Sequence, residues 1–303
     1  MMRVFTLLCR RDLAMAHVCL SRLEAAWGRP VRLEILDDGT LDAEDWDGLR
    51  AAFPSAVFRP RREIREQVES QLARRPACLD YYRFHALANK LLAVPLIAAG
   101  AFRYVDCDVL FRRPCPGFWP EEGAALCLDE PGVYLANSLR QWIARLRSPL
   151  AMRLNSGLLA VPEGLFDLDR TEWFLARASP CRRLDLVEQT AWAFLYATRP
   201  HLRIGAPTVL SDARPLPGDS TAAALHFLGR NKARFHRFAT VPFTPEAGAA
   251  AVHLDGRAGG LGYVLDRELL QTGHGIDRVW KNSAAFRMTR ATYRAVAPSA
   301  APR

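Results

Sequence analysis

The chain has 303 residues, half of them hydrophobic, and a formal net charge of +9 at pH 7. That suffices for one large α/β domain, or a core domain with a smaller appendage, and excludes a disordered chain. No apolar run approaches the roughly 18 to 20 uncharged residues that span a bilayer, and "MMRVFTLLCRRD" has too short an apolar run before Arg10 and Arg11 for a signal peptide, so a cytoplasmic protein is expected.

In chain order, "RVFTLLC" (3 to 9) predicts a buried strand. "RDLAMAHVCLSRLEAAWG" predicts a helix with Asp12 as its N-cap and Gly28 as its stop. "VRLEILDDGTL" gives a second strand running into a turn at Asp37-Asp38-Gly39, and "FPSAVFRP" a short third. Strands alternating with helices point to a mostly parallel sheet covered on both faces. Residues 61 to 76 form a charged, solvated helix or connector, and "LDYYRFHALANKLLAVPLIAAG" a helix that Pro95 kinks or ends. Strands follow at "FRYVDCD", "AALCLD" (124 to 129) and "NSGLLAVP" (155 to 162), a helix at "LDLVEQTAWAFLYA", and strands at "HLRIGAP" (201 to 207) and "STAAALHFLGRNK", the last breaking at Gly229. Beyond about residue 240 apolar density falls, and the tail 295–303 is expected to be disordered. The expected division is a catalytic domain over 1–240 and a C-terminal extension over 241–303.

Seven cysteines without a CxxC pair indicate neither a disulfide framework nor a zinc site, and most serve as small apolar fillers. The positive charge calls for an anionic partner: a phosphorylated small molecule, nucleic acid or an anionic membrane face. Its carriers are nearly all arginine, since the only lysines are Lys90, Lys232 and Lys281. A retained lysine marks a place where a compact point charge is wanted rather than a planar fork.

In "FRYVDCDVLFRRP" (102 to 114) two carboxylates, Asp106 and Asp108, interrupt an apolar run. If the backbone is extended there, both point to one side and Cys107 to the other. At the carboxyl end of a strand in an open α/β sheet, where ligands gather, two hard oxygen ligands suit Mg2+ or Mn2+. An isolated Asp-x-Asp is more often a capped turn than a metal site, so the other motifs matter. "LHFLGRNK" sets His226, Gly229 and Lys232 in one short loop: an imidazole for a third ligand, a backbone turn and an ammonium for phosphate. "NSGLLAVP" begins with Asn155, whose amide can bond sugar hydroxyls, and Gly157, which permits close backbone approach. Glu188 and Gln189 open a helix, although Asp185 with Glu188 also has the spacing of a capping box.

The order Lys90, Asp106-Cys107-Asp108, Asn155-Ser156-Gly157, Glu188-Gln189, His226-x-x-Gly229-x-x-Lys232 resembles the nucleotide-sugar glycosyltransferases of the GT-A fold, most of all family 8, which includes glycogenin and the bacterial lipopolysaccharide galactosyl- and glucosyltransferases. It covers roughly residues 1 to 235 and lies in order and spacing, each motif alone being weak. The resemblance implies an α/β GT-A (nucleotide-diphospho-sugar transferase) fold with a mostly parallel central sheet, flanking helices and a small C-terminal appendage. It implies sugar transfer from a nucleotide-diphosphate donor, with UDP-sugar as the expected donor, to a carbohydrate or lipid-linked acceptor, with retention. Asp106, Asp108 and His226 would hold Mn2+ (or Mg2+) on the donor diphosphate, which Asp106, Gly229 and Lys232 help to bind, and Lys90 would contact the donor. Asn155 and Gln189 would face the donor sugar, Gln189 near the anomeric carbon, with Glu188 on sugar hydroxyls. Two places depart from the pattern: "LLCRRD" stands where family 8 has a small residue and an Asp, and Ala233-Arg234 replaces Pro-Trp after the final lysine.

Other readings compete. A nucleotidyltransferase making nucleotide sugars needs a Gly-rich basic loop after the first strand, and "LLCRRDLAMA" has no glycine. No specific nucleic-acid partner is expected, because the arginines are spread along the chain and form no recognised module. A nucleotide-binding scaffold without turnover is a further alternative. Trp280, Phe286 and Tyr293, interleaved with arginines, offer a basic-aromatic surface for peripheral contact with an anionic inner membrane face, or a helix packed on the core.

Overall fold

A computed structural model describes residues 1–128, 150, 151, 153–178, 187–205, 208–211 and 222–243. Strand β1 (Met2–Leu8) lies mid-sheet because it has apolar side chains for both faces. Val4 and Leu8 enter one core layer with Leu23, Ile35 and Val105, and Phe5 enters the other with Leu36, Leu91, Tyr104 and Trp192. Strands buried on both sides read as continuous apolar runs, which is why the parallel sheet was legible. Each fully buried Leu or Phe contributes about 1.5–3 kcal/mol relative to exposure.

Helix α1 (Leu13–Trp27) ends as expected at Gly28, whose φ of 80° is the left-handed conformation that glycine adopts without strain. Its expected N-cap differs: Asp12 sits at the cap position but makes no side-chain cap bond. Strands β2 (Val31–Asp37) and β3 (Val57–Arg59) follow, with helix α2 (Ala43–Ala52) between them, capped by a box in which Asp42 and Asp45 bond each other's backbone N–H. Some of the positive charge is spent internally: fully buried Glu34 on β2 accepts from Arg3 at 2.7 Å and Arg59 at 3.3 Å.

Helix α3 (Arg61–Leu72) buries Ile64, Val68 and Leu72 and exposes its charges. The long helix expected to break at Pro95 breaks earlier. Helix α4 (Pro76–Phe84) stops at extended His85, and the chain resumes as a π-helical turn over Asn89–Ala93 followed by α5 (Val94–Ala98). Pro95 lies in the first turn of α5, where its missing N–H costs nothing. The widened turn carries Lys90, and such π segments are frequent at functional sites.

Strands β4 (Phe102–Val105), β6 (Ala124–Leu128), β7 (Leu154–Val161) and β8 (His201–Ile204) complete a seven-stranded sheet in the order β3-β2-β1-β4-β7-β6-β8. Only β7 runs against the others. Helices α6 (Leu168–Ala178) and α7 (Val187–Tyr196) pack on the layer containing Trp192. A second, three-stranded sheet pairs β5 (Val109–Phe111) with β10 (Ala224–His226) and β10 with β9 (Val209–Ser211). A 3-10 turn (Gly229–Arg234) and helix α8 (Phe235–Ala239) follow.

Because β7 is antiparallel to β4, it begins where β4 ends, and Gly157 O accepts from Asp106 N at 2.8 Å. Antiparallel pairing of β10 with β5 places His226 opposite Val109. The start of α1, the π turn, the end of β4, the start of β7 and the end of β10 therefore meet at one edge. The described residues fall in one unit spanning 1–134 and 148–258. The extension expected over 241–303 lies outside them beyond Phe243, as do the tail and the Trp280, Phe286 and Tyr293 surface. No helix among the described residues is long and apolar enough to cross a membrane.

Candidate metal centre

The backbone at Asp106-Cys107-Asp108 is not extended. It turns after Val105, Val109 N donates to Asp106 O at 3.2 Å, and the chain leaves for the second sheet. Convergence of the carboxylates comes from this turn rather than from strand alternation, while Cys107 is buried in the core, as anticipated. Of the other described cysteines, all but half-buried Cys9 are buried.

Oxygen atoms of Asp106 and Asp108 and a ring nitrogen of His226 lie within 4.8 Å of one another. His226 Nε2 is 3.1 Å from Asp108 Oδ1 and 3.7 Å from Asp106 Oδ2. Asp108 and His226 are buried, and Asp106 is partly exposed, so the cluster opens on one side. Despite their proximity, Asp108 Oδ1 and His226 Nε2 are buried without a hydrogen bond. With the ring neutral and this nitrogen bare, two unsatisfied acceptor atoms face each other and suit a cation between them, because such groups are costly to leave unpaired. Two hard oxygens and one imidazole suit a Mg2+- or Mn2+-type ion.

Burial opposes an imidazolium at His226, but Asp108 and Asp106 outweigh it and raise the ring above the ordinary histidine range. Burial likewise works against an ionised Asp108, yet His226 and Lys232 outweigh it and hold the carboxyl well below its usual range. A ligating cation must displace the His226 proton, so affinity for Mn2+ is expected to fall as pH drops through neutrality. Titration at several pH values checks this, and an affinity unchanged down to pH 5 contradicts it.

Both retained lysines of the described chain reach this cluster. Lys90 Nζ is 2.8 Å from Asp106 Oδ2, 3.2 Å from Ser156 Oγ and 4.9 Å from the Tyr104 ring centroid. Burial disfavours its charge, but Asp106 and Glu188 outweigh that and raise its pKa. Lys232 Nζ lies between Asp12 Oδ2 at 2.6 Å and Asp108 Oδ2 at 2.9 Å. Neither Asp12 nor Tyr104, whose hydroxyl donates to Asp106 Oδ1 at 2.8 Å, stood out in the sequence as a site residue. Tyr104 had a faint signal, a polar-tipped aromatic two residues before an aspartate; Asp12 read as an ordinary cap.

Asn155 Oδ1 accepts from Gly157 N at 2.7 Å, so part of the amide expected for sugar hydroxyls is engaged locally. Gly157 is needed for a nearer neighbour than a ligand: a Cβ there would fall 2.1 Å from His226 Cε1. Glu188 accepts from Ser156 Oγ at 3.1 Å, so Glu188, Ser156, Lys90 and Asp106 form a chain of contacts. Glu188 is 2% exposed and faces inward; Asp185, the other half of its capping spacing, lies outside the described residues. Gln189 follows on the same first turn, half-buried. Gly229, at φ 52°, starts the turn that carries Lys232.

Burial pushes the Glu188 carboxyl up to about 7, Lys90 opposing and Asp106 reinforcing, from an ordinary 4.5. Between those values the folded chain holds a proton that the unfolded chain has released, so this group makes stability fall as pH rises through the window. Glu188→Gln, neutral at every pH, is expected to stabilise the metal-free protein at pH 8 by on the order of 3 kcal/mol and to match wild type below pH 4.5. Thermal melts at both pH values check it; a difference independent of pH contradicts it.

No family model and no curated protein matches the chain. Among solved structures, the galactosyltransferase LgtC in complex with donor and acceptor sugar analogues shares 16% identity over 81% of this chain and 98% of its own, with a TM-score of 0.50. An active-site mutant of LgtC gives 14%, 81%, 98% and 0.47. The apo-form glycosyltransferase GlyE of Streptococcus pneumoniae TIGR4 gives 10%, 80%, 61% and 0.42. The first likeness, with the mostly parallel seven-stranded sheet flanked by helices, shows the GT-A fold.

Proposed function

We propose that this GT-A chain is a metal-dependent glycosyltransferase moving a sugar from a nucleotide-diphosphate donor, a UDP-sugar, to a carbohydrate or lipid-linked acceptor, with retention. The observation that carries the reading is the Asp106, Asp108 and His226 cluster with an ammonium on either side, at the strand ends where α/β sheets bind ligands. A leaving nucleoside diphosphate gathers negative charge, and two bare aspartates would repel it. A divalent ion held by Asp106, Asp108 and His226, Mn2+ or Mg2+, supplies Lewis-acid stabilisation of that charge when bound. Lys232, on the turn that starts at Gly229, contributes a point charge aimed at the phosphates. Lys90 holds Asp106 in place and lends positive charge on the donor side. Glu188, Asn155 and Gln189 orient the donor sugar; Glu188 Oε1, buried without a hydrogen bond, is an acceptor for a sugar hydroxyl. Its proton state near neutrality lets it either accept or donate.

Residues 1–240 form the catalytic domain in this reading, and 241–303 an extension for acceptor or membrane-surface contact. The protein acts in the cytoplasm, at the inner membrane face where the acceptor is lipid-linked, with the basic-aromatic residues around Trp280 as the membrane contact. The test is calorimetric titration of UDP and GDP with and without Mn2+. Binding of one nucleotide that requires Mn2+ is expected and identifies the base. Absent or metal-independent binding of both removes the function.

A further inference from the structure

Lys232 and Asp12 are 220 residues apart and form a 2.6 Å ion pair, with the Asp12 side chain 7% exposed and that of Lys232 26%. Asp12 occupies a helix N-cap position yet makes no cap bond; its Oδ2 is committed to the lysine, and its Oδ1 accepts from the exposed Arg11 Nε at 3.3 Å. The segment carrying Lys232 is fastened to the same helix a second time. Arg22 donates to Ala239 O at 3.1 Å and Val241 O at 3.3 Å, and also to Phe111 O at 3.1 Å. Between these fastenings Met15 of α1 packs with Leu225, Phe227 and Phe235 in one buried cluster.

Charge explains why Asp12 is needed. Lys90 contacts Asp106, and Lys232 contacts Asp108. With His226 neutral, as a ligand must be, these four charges would cancel, and a divalent ion would have to compete with both ammonium groups for the ligands. Asp12 makes three carboxylates face two ammonium groups. It also gives Lys232 a partner that is not a ligand. When Asp108 turns to a cation, an ammonium held by Asp108 alone would be repelled by the new charge, and its long side chain would swing into solvent and gain rotamer entropy. Held by Asp12, it stays.

We infer that Asp12 is a positioning residue for Lys232: it holds the ammonium beside the metal cluster so that Lys232 can release Asp108 to the cation and keep its charge aimed at the terminal phosphate of a nucleoside diphosphate. The inference rests on the proposed function above. In Asp12→Asn, Lys232 keeps only Asp108, competes with the metal and has no anchor once the metal binds.

The test compares binding of UDP and UMP, with GDP and GMP as the second pair, in saturating Mn2+ by calorimetry. It uses wild type, Asp12→Asn, Asp12→Glu, Lys232→Ala and the Asp12→Asn/Lys232→Ala double variant, each verified as folded by its thermal melt. Asp12→Asn is expected to cut the preference for diphosphate over monophosphate roughly tenfold or more, the scale of one hydrogen bond to a charged group, and to leave monophosphate affinity unchanged. Asp12→Glu, which keeps the charge, is expected to restore most of that preference. In the Lys232→Ala background Asp12→Asn is expected to add nothing. A merely structural role would weaken both nucleotides together and act in either background. Wild-type binding with an unaltered preference in Asp12→Asn, equal weakening of both nucleotides, or additive effects of the two substitutions overturn this inference alone. A wild type that binds neither diphosphate overturns the proposed function and this inference with it.

Discussion

Asp108→Asn is expected to abolish Mn2+-dependent sugar transfer, by about a thousandfold or more, roughly 4 kcal/mol at the barrier. Asp108 has two neighbours that explain so large a loss: His226 Nε2 at 3.1 Å and Lys232 Nζ at 2.9 Å. The amide keeps the volume but removes the charge that recruits the cation, and leaves His226 and Asp106 as an incomplete site. The metal-free protein is expected to lose stability at neutral pH, because His226 and Lys232 hold Asp108 well below the usual carboxylate range and that stabilisation leaves with the charge, while Lys232 retains Asp12 at 2.6 Å. The measurements are transfer rate against Mn2+ concentration and a thermal melt. Retained Mn2+-dependent transfer contradicts the metal reading, and a melt unchanged at neutral pH contradicts the pairing of Asp108 with His226 and Lys232.

Among the described glycines, Gly157 is expected to be the one where an added methyl does most damage. The new Cβ would meet His226 Cε1 at 2.1 Å, Nδ1 at 2.7 Å and Nε2 at 2.8 Å, separations that side chains do not tolerate. Neither partner can yield cheaply. The β7 backbone is held by Asp106 N to Gly157 O at 2.8 Å and Gly157 N to Asn155 Oδ1 at 2.7 Å, and His226 is 3% exposed. Overpacking of this kind costs about 1–3 kcal/mol, and the ring that moves is a proposed ligand, so Mn2+ binding is expected to fall as far as in His226→Ala. The cycle of the two substitutions separates the effects. In the His226→Ala background the methyl has room, so Gly157→Ala is expected to cost far less stability there. An equal cost in both backgrounds contradicts the contact as its origin.

These two predictions show which features a sequence carries. The sheet was legible because its strands are short apolar runs bounded by turn residues, and Gly28 marked the end of α1 because a left-handed residue needs it. The candidate site was legible as an ordered set of motifs, and the structure brings Asp106, Asp108, His226, Lys90 and Lys232 together. What was not legible depends on contacts distant in sequence. The turn at 106–108 looks like continued strand because Val105 and Val109 on either side are both buried. Gly157 read as room for a ligand because His226, on another sheet, cannot be seen from position 157. Asp12 satisfied a local rule as a helix cap, and nothing local indicates that its carboxylate serves a lysine 220 residues away. The break at His85 instead of Pro95 belongs to the same class, since a proline in a first helical turn is no breaker.

The most direct test of the metal centre is anomalous diffraction at the manganese edge from crystals grown with Mn2+ and the nucleoside diphosphate that binds. The account predicts one peak per chain, within ligand distance of Asp106, Asp108 and His226 and beside the diphosphate, with Lys232 still on Asp12. A diphosphate bound with no peak at these three residues, or a peak held by other side chains, would contradict it.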